Sequence, residues 1–103
     1  MKHILTPILL LVFLFPTLAL SEEVAMDDLV ETDGLFYKKF TDVPFTGKVM
    51  GSEQGSFIYG KKDGSWVYYH DNGRLFKKGT YKVGVRNGPW VFYHSNGQLN
   101  MEG

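Results

Sequence analysis

The sequence predicts an all-β chain, a single antiparallel meander of repeated β-hairpins, and three observations carry that prediction. The segment Asp63-Gly64-Ser65-Trp66-Val67-Tyr68-Tyr69-His70-Asp71-Asn72-Gly73-Arg74-Leu75 returns 24 residues later as Asn87-Gly88-Pro89-Trp90-Val91-Phe92-Tyr93-His94-Ser95-Asn96-Gly97-Gln98-Leu99. A unit this short cannot bury its own apolar surface and needs a neighbour stacked beside it. Within each copy, Trp66 to His70 and Trp90 to His94 run without a break through β-branched and aromatic residues, as strands do. Each run is then followed by Asn-Gly, Asn72-Gly73 and Asn96-Gly97, the pair that tolerates positive φ in a type I′ hairpin turn.

The N-terminus is read separately. Met1-Lys2-His3 is a short basic start, Ile4 to Phe15 an apolar run, Pro16 a break, and Ala19-Leu20-Ser21 a small-residue cleavage site. This is the pattern of a secretory signal helix over residues 1–21, cleaved before Glu22. The alternative is an uncleaved membrane anchor, although the run is short for a spanning helix and contains Pro7 and Pro16. The expected localisation is secreted or periplasmic in a bacterium. With no cysteine in the chain, the exported domain, residues 22–103, must rely on aromatic packing and strand pairing instead of disulfides. Charge is segregated: six acids and no base lie between Glu22 and Asp33, against ten Lys plus Arg and five acids in the remainder. Ordinary solvated faces account for it.

If Asn72-Gly73 is a two-residue loop, His70 pairs with Leu75, Tyr69 with Phe76, Tyr68 with Lys77, Val67 with Lys78 and Trp66 with Gly79. The next hairpin pairs His94 with Leu99, Tyr93 with Asn100, Phe92 with Met101, Val91 with Glu102 and Trp90 with Gly103. Each indole thereby faces a glycine, whose bare backbone a cross-strand aromatic covers. Trp66, Gly73, Gly79, Trp90 and Gly97 are the structural residues of the repeat. Alternation puts Trp66, Tyr68, His70, Leu75, Gly79, Tyr81, Trp90, Phe92, His94, Leu99 and Met101 on one apolar face, interrupted by Lys77. Val67, Tyr69, Phe76, Lys78, Val91 and Tyr93 belong to the opposite, wetter face.

The units run over about 55–78 and 79–102. Lys61 to Gly64 and Val85 to Gly88 are expected to be loops between hairpins. A shortened unit with a turn at Gly51-Ser52-Glu53 precedes them, and Asp33-Gly34 is a further hairpin turn between Leu29–Thr32 and Leu35–Phe40.

The pattern Asp-Gly-x-Trp-x-x-Tyr, then Asn-Gly-x-Leu and Gly-x-Tyr, resembles the MORN-repeat variant of bacterial proteins of the YwqK-type toxin–antitoxin antitoxin family. The stretch from Leu29-Val30-Glu31 through Gly34-Leu35-Phe36-Tyr37 to Pro44-Phe45-Thr46-Gly47-Lys48-Val49 resembles the block that precedes their repeats. The resemblance covers essentially the whole mature chain and implies a repeat sheet that binds a protein, such as a toxin. This chain departs from the family in its shortened first hairpin and in its two full units.

No catalytic constellation emerges, so the chain is expected not to be an enzyme and to need neither cofactor nor metal. Gly55-Ser56-Phe57-Ile58-Tyr59-Gly60-Lys61 imitates a phosphate loop, but Lys62 stands where Ser or Thr must hold magnesium, and the repeat already explains the glycines. His70 and His94 share a face some 10 Å apart, with leucines rather than further ligands beside them. Lys38-Lys39, Lys61-Lys62 and Lys77-Lys78 read as solvated edges and loop tips. Export and a net charge of zero argue against nucleic acid. Protein binding remains, through Tyr69, Phe76, Lys78 and Tyr93 or through strand addition at the edge Gln98 to Gly103, which also offers a route to homo-oligomers. The expected function is therefore an exported, antitoxin- or immunity-like binding module. The alternative is an envelope-associated module that binds glycan or lipid headgroups.

Overall fold

The computed structural model describes residues 22–103; the signal helix and cleavage site expected over 1–21 lie outside the described residues. The described chain is almost entirely strand. Its strands are β1 (Glu23–Ala25), β2 (Leu29–Thr32), β3 (Leu35–Lys38), β4 (Gly47–Met50), β5 (Glu53–Ile58), β6 (Lys61–Tyr69), β7 (Leu75–Lys82), β8 (Val85–Tyr93) and β9 (Leu99–Glu102), with a single 3-10 turn at Met26–Asp28 among the described residues. From β4 to β9 the strands lie side by side in chain order, as a meander requires.

Two features depart from a single antiparallel sheet. β1 runs parallel to β4, with Glu23 opposite Lys48 and Val24 opposite Val49, so the large sheet is mixed. Val24 packs against the core while its neighbours Glu23 and Ala25 are exposed, and this alternation is what lets an acidic segment form an edge strand. The second departure is that β2 and β3 form a separate two-stranded sheet. Its two-residue turn is Asp33-Gly34, both residues at positive φ. Phe36 N donates to Gly60 O at 2.9 Å and Phe45 N to Phe36 O at 2.9 Å, which docks this hairpin over the N-terminal end of the large sheet. There Leu29, Phe45, Val49 and Phe57 are buried.

The repeats hold the expected register in their middle and depart from it at both ends. Trp66 pairs with Gly79, Val67 with Lys78 and Tyr68 with Lys77, but Tyr69 pairs with Leu75. His70 N donates to Arg74 O and Gly73 N to His70 O, and Asn72 is not among the residues with positive φ. The loop is therefore Asp71-Asn72-Gly73, a type I turn closed by a left-handed glycine, in place of a two-residue type I′ loop. The extra loop residue is compensated by a bulge at Phe76, after which the register is as expected. The second unit repeats this: His94 N donates to Gln98 O and Gly97 N to His94 O, and Tyr93 pairs with Leu99 instead of Asn100.

Lys61 to Gly64 and Val85 to Gly88 are not loops but the beginnings of β6 and β8. The connections are the two-residue turns Tyr59-Gly60 and Val83-Gly84, with Ile58 opposite Lys61 and Lys82 opposite Val85. Both residues of each turn have positive φ, the type I′ geometry that was expected elsewhere. Tyr and Val oppose that conformation, and tertiary hydrogen bonds hold it: Tyr59 N donates to Thr46 Oγ1 at 2.9 Å, Gly60 N to Phe45 O at 2.7 Å and Gly84 N to Lys62 O at 2.8 Å.

Candidate functional site

The site is assembled from one structural device used twice. Gly64 and Gly88 lie at positive φ inside β6 and β8, next to register shifts at Gln54/Ser56 and Lys78/Thr80. Such bulges re-aim the side chains that follow. They tip Trp66 over Gly55 and Trp90 over Gly79. A Cβ added at either glycine would lie 2.2 Å from the indole Cδ2. The indoles therefore cover the glycine on the preceding strand, not the one opposite them in their own hairpin. Trp66 Nε1 donates to Ser56 O at 3.1 Å and Trp90 Nε1 to Thr80 O at 3.3 Å, so burial leaves neither ring nitrogen unsatisfied.

Around the indoles the aromatic rings form a continuous ladder along one face. Phe57 meets Trp66 edge-on at 5.2 Å, and its repeat counterpart Tyr81 meets Trp90 at 5.1 Å. Trp66 to Tyr81 at 6.1 Å and Tyr68 to Trp90 at 6.2 Å join the two units. The bulge turns Phe76 onto this same face, where its ring lies 4.8 Å from His70 and 6.4 Å from Phe92.

The β2–β3 hairpin covers only the first part of the ladder, with Phe36 lying 4.9 Å from Phe57. Farther along, the outer cover is cationic. Lys62 Nζ sits 4.7 Å from the Trp66 ring centroid and 5.2 Å from that of Tyr81, and donates to Tyr68 Oη at 3.0 Å. Arg86, its repeat counterpart, lies 4.5 Å from the Trp90 ring, and Lys77 Nζ lies 4.5 Å from that of Tyr68. These placements show in the phenols. Burial raises Tyr68, helped by its neighbour Tyr81. Burial also pushes Tyr81 upward, but the hydrogen bond to Tyr68 and the charges of Lys62 and Arg86 outweigh it and leave Tyr81 below 10.0.

The four partner-binding residues expected from the sequence are not gathered on one surface. Tyr69 and Phe76 line an open depression of about 460 Å³ together with Tyr68, Lys62, Lys77 and Tyr81. Lys78 lies instead beside Val67 and Val91 in another depression of about 280 Å³. Tyr93 contributes its carbonyl, 2.9 Å from His70 Nε2. Trp66 and Trp90 are buried, Gly79 is overlaid by an indole, and Gly73 and Gly97 are left-handed at the turns. Sequence reasoning missed Lys62, Arg86 and Tyr81 as members of the site. The available signal was that Lys62 and Arg86 are 24 residues apart, each four residues before a tryptophan. Among the described residues, no group of three His, Asp or Glu side chains gathers as a metal site.

No curated protein and no solved structure matches the chain. Residues 62–82 and 86–103 do match a family, the MORN repeat variant. Each matched segment opens on a cation, Lys62 or Arg86, and contains one buried tryptophan and one bulged hairpin, so the two copies of the 24-residue repeat are what is similar to the MORN repeat variant.

Proposed function

We propose that this chain is a non-enzymatic, exported repeat module that binds a protein partner through the aromatic face of its sheet, in an antitoxin- or immunity-like role. The observation that carries the reading is the depression around Tyr68, Tyr69 and Phe76, where the ladder runs beyond the cover of the β2–β3 hairpin. Rigid aromatics in a shallow, strand-built surface are the usual anchors of protein interfaces. In the test, the wild-type protein and a Tyr69→Ala/Phe76→Ser variant are used to capture partners from envelope extract. The variant is expected to keep its melting temperature within a few degrees and to lose the captured protein. Retention of the partner by a folded variant would refute this surface. Export is tested by N-terminal sequencing of the mature protein, which should begin at Glu22.

A second reading, contact with lipid headgroups, draws on the turn tips. Tyr59 is 74% and Val83 61% exposed, with Lys61 beside both in one depression. Apolar tips beside a lysine suit a membrane interface. Under this reading Tyr59→Ser/Val83→Asn abolishes cosedimentation with anionic vesicles, while the depression variant does not.

A further inference from the structure

We propose that Lys62, Lys77 and Arg86 form a strip that recognises carboxylates, and that the segment bound there is an extended acidic stretch of the partner protein. This rests on the protein-binding reading and specifies the chemistry of its ligand.

The charged heads of Lys62, Lys77 and Arg86 lie over Trp66, Tyr68 and Trp90 at 4.5–4.7 Å, cation–π contacts that leave most of their N–H donors without an acceptor. Lys62 commits one of its three donors to Tyr68 Oη. Arg86, 4.5 Å over the Trp90 ring and hydrogen-bonded to Tyr81, has five N–H donors, enough to spare for a two-pronged contact with a carboxylate. None of the three makes an ion pair among the described residues, where the recorded pair is Lys38 with Glu22. Glu53 borders the same depression without pairing. Cover alone does not explain the charge. Two residues after its type I′ turn, each unit places one side chain against a buried ring: Phe36 in the first, Lys62 and Arg86 in the next two. A hydrocarbon serves in the first unit, so covering a ring does not itself call for a cation. Against burial, which raises it, the Tyr81 phenol is lowered first by its hydrogen bond with Tyr68 and then by the charges of Lys62 and Arg86 on either side.

Spacing then selects the ligand. Lys62 on β6 and Arg86 on β8 are two strands apart, about 10 Å. A segment in the extended polyproline II form, with three residues per turn and about 3.1 Å per residue, would meet both with carboxylates three residues apart on one face. Tyr69 and Phe76 are placed to take an apolar side chain between them.

Binding to the full folded protein is measured by calorimetry with a synthetic peptide of four Glu-Ser-Phe triplets and with its Gln-Ser-Phe counterpart. The glutamate peptide should bind at least about tenfold more tightly, the equivalent of one charge-assisted hydrogen bond, and the advantage should shrink with added salt. Lys62→Gln/Arg86→Gln should abolish the advantage, Lys62→Arg/Arg86→Lys should restore it, and Lys78→Gln should leave it unchanged. Equal binding of both peptides, with resonance shifts at Phe76 and Tyr81, would overturn the acidic assignment and leave the protein-binding reading standing. Binding of phosphatidylglycerol vesicles but of neither peptide, lost in the Lys62→Gln/Arg86→Gln variant, would overturn both in favour of a lipid surface. If neither peptide nor vesicles bind, the strip is structural and the proposal fails, while the Tyr69→Ala/Phe76→Ser capture assay still decides the broader reading.

Discussion

Gly55 and Gly79 are glycines because an indole occupies the space a methyl would need. With Cδ2 only 2.2 Å from a Cβ built at either position, Gly79→Ala and Gly55→Ala must displace a ring that is itself packed on every side. Each should cost at least about 1–3 kcal/mol, the usual penalty of overpacking. Gly103→Ala, with nothing near its added methyl, should leave chemical denaturation unchanged. The opposite sign is expected at Val83, a β-branched residue held at φ +50 and 61% exposed. Val83→Gly removes a left-handed penalty of about 1 kcal/mol, so the melting temperature should rise. A fall would mean that the valine packs against something in solution. Tyr81 and Tyr68 should separate in an ultraviolet titration, Tyr81 ionising below 10.0 and Tyr68 above it. By linkage, the lowered group contributes stability that builds as pH rises through its folded pKa, and the raised group contributes stability that is lost above 10.0. Tyr81→Phe should delete the early ionisation phase.

At the scale of elements, the two ends of each hairpin use different turn chemistry. Asn72 and Asn96 resemble type I′ residues in isolation, yet each turns its side chain to local work: Asn72 Oδ1 accepts from Arg74 N, and Asn96 Oδ1 from Gln98 N, both at 2.9 Å. Asn72 Nδ2 also donates to Ser95 O at 2.7 Å, and Arg74 to Asn96 O. The longer loops are thus stitched to one another across the repeat. Arg74→Ala should release that seam, raising amide exchange at Gly97 and Gln98 while leaving Trp66 Nε1 protected. The cost should stay within about 1 kcal/mol, as for an exposed contact. The bulge that restores register after the longer loop is what moves Phe76 from the wet face to the aromatic one. A strict period of two could not disclose it, because a bulge inverts alternation locally.

Across the whole molecule, stability is a chain of neighbour contacts. Trp66 touches Phe57 on one side and Tyr81 on the other, so Trp66→Ala should remove about 3–5 kcal/mol and uncouple the N-terminal hairpin from the repeats. Trp90→Ala should cost a similar amount but open β8 and β9 first, seen as earlier hydrogen exchange there, as nearest-neighbour coupling in a repeat array implies. If both variants lose protection uniformly along the chain, the array behaves as one unit and this account of its cooperativity is wrong.

By itself the sequence determined the 24-residue unit, a meander that holds from β4 to β9 but not over the whole mature chain as expected, the central register of both hairpins and the pairing of tryptophan with glycine as a principle. These follow from local alternation and composition, which act within one strand or one turn. Only the tertiary structure decided which glycine lies under which indole, where the type I′ turns sit, that β1 runs parallel to β4, and that Lys62 and Arg86 belong to the site. The parallel pairing of β1 with β4 and the approach of Lys62 to Arg86 join strands that are not consecutive, while the placement of the turns and of each glycine under its indole follows from bulges and turn conformations that local alternation does not disclose. Bulges at Gly64 and Gly88 aim the indoles backwards, and docking hydrogen bonds hold Tyr59 and Val83 in a backbone conformation that their own side chains disfavour.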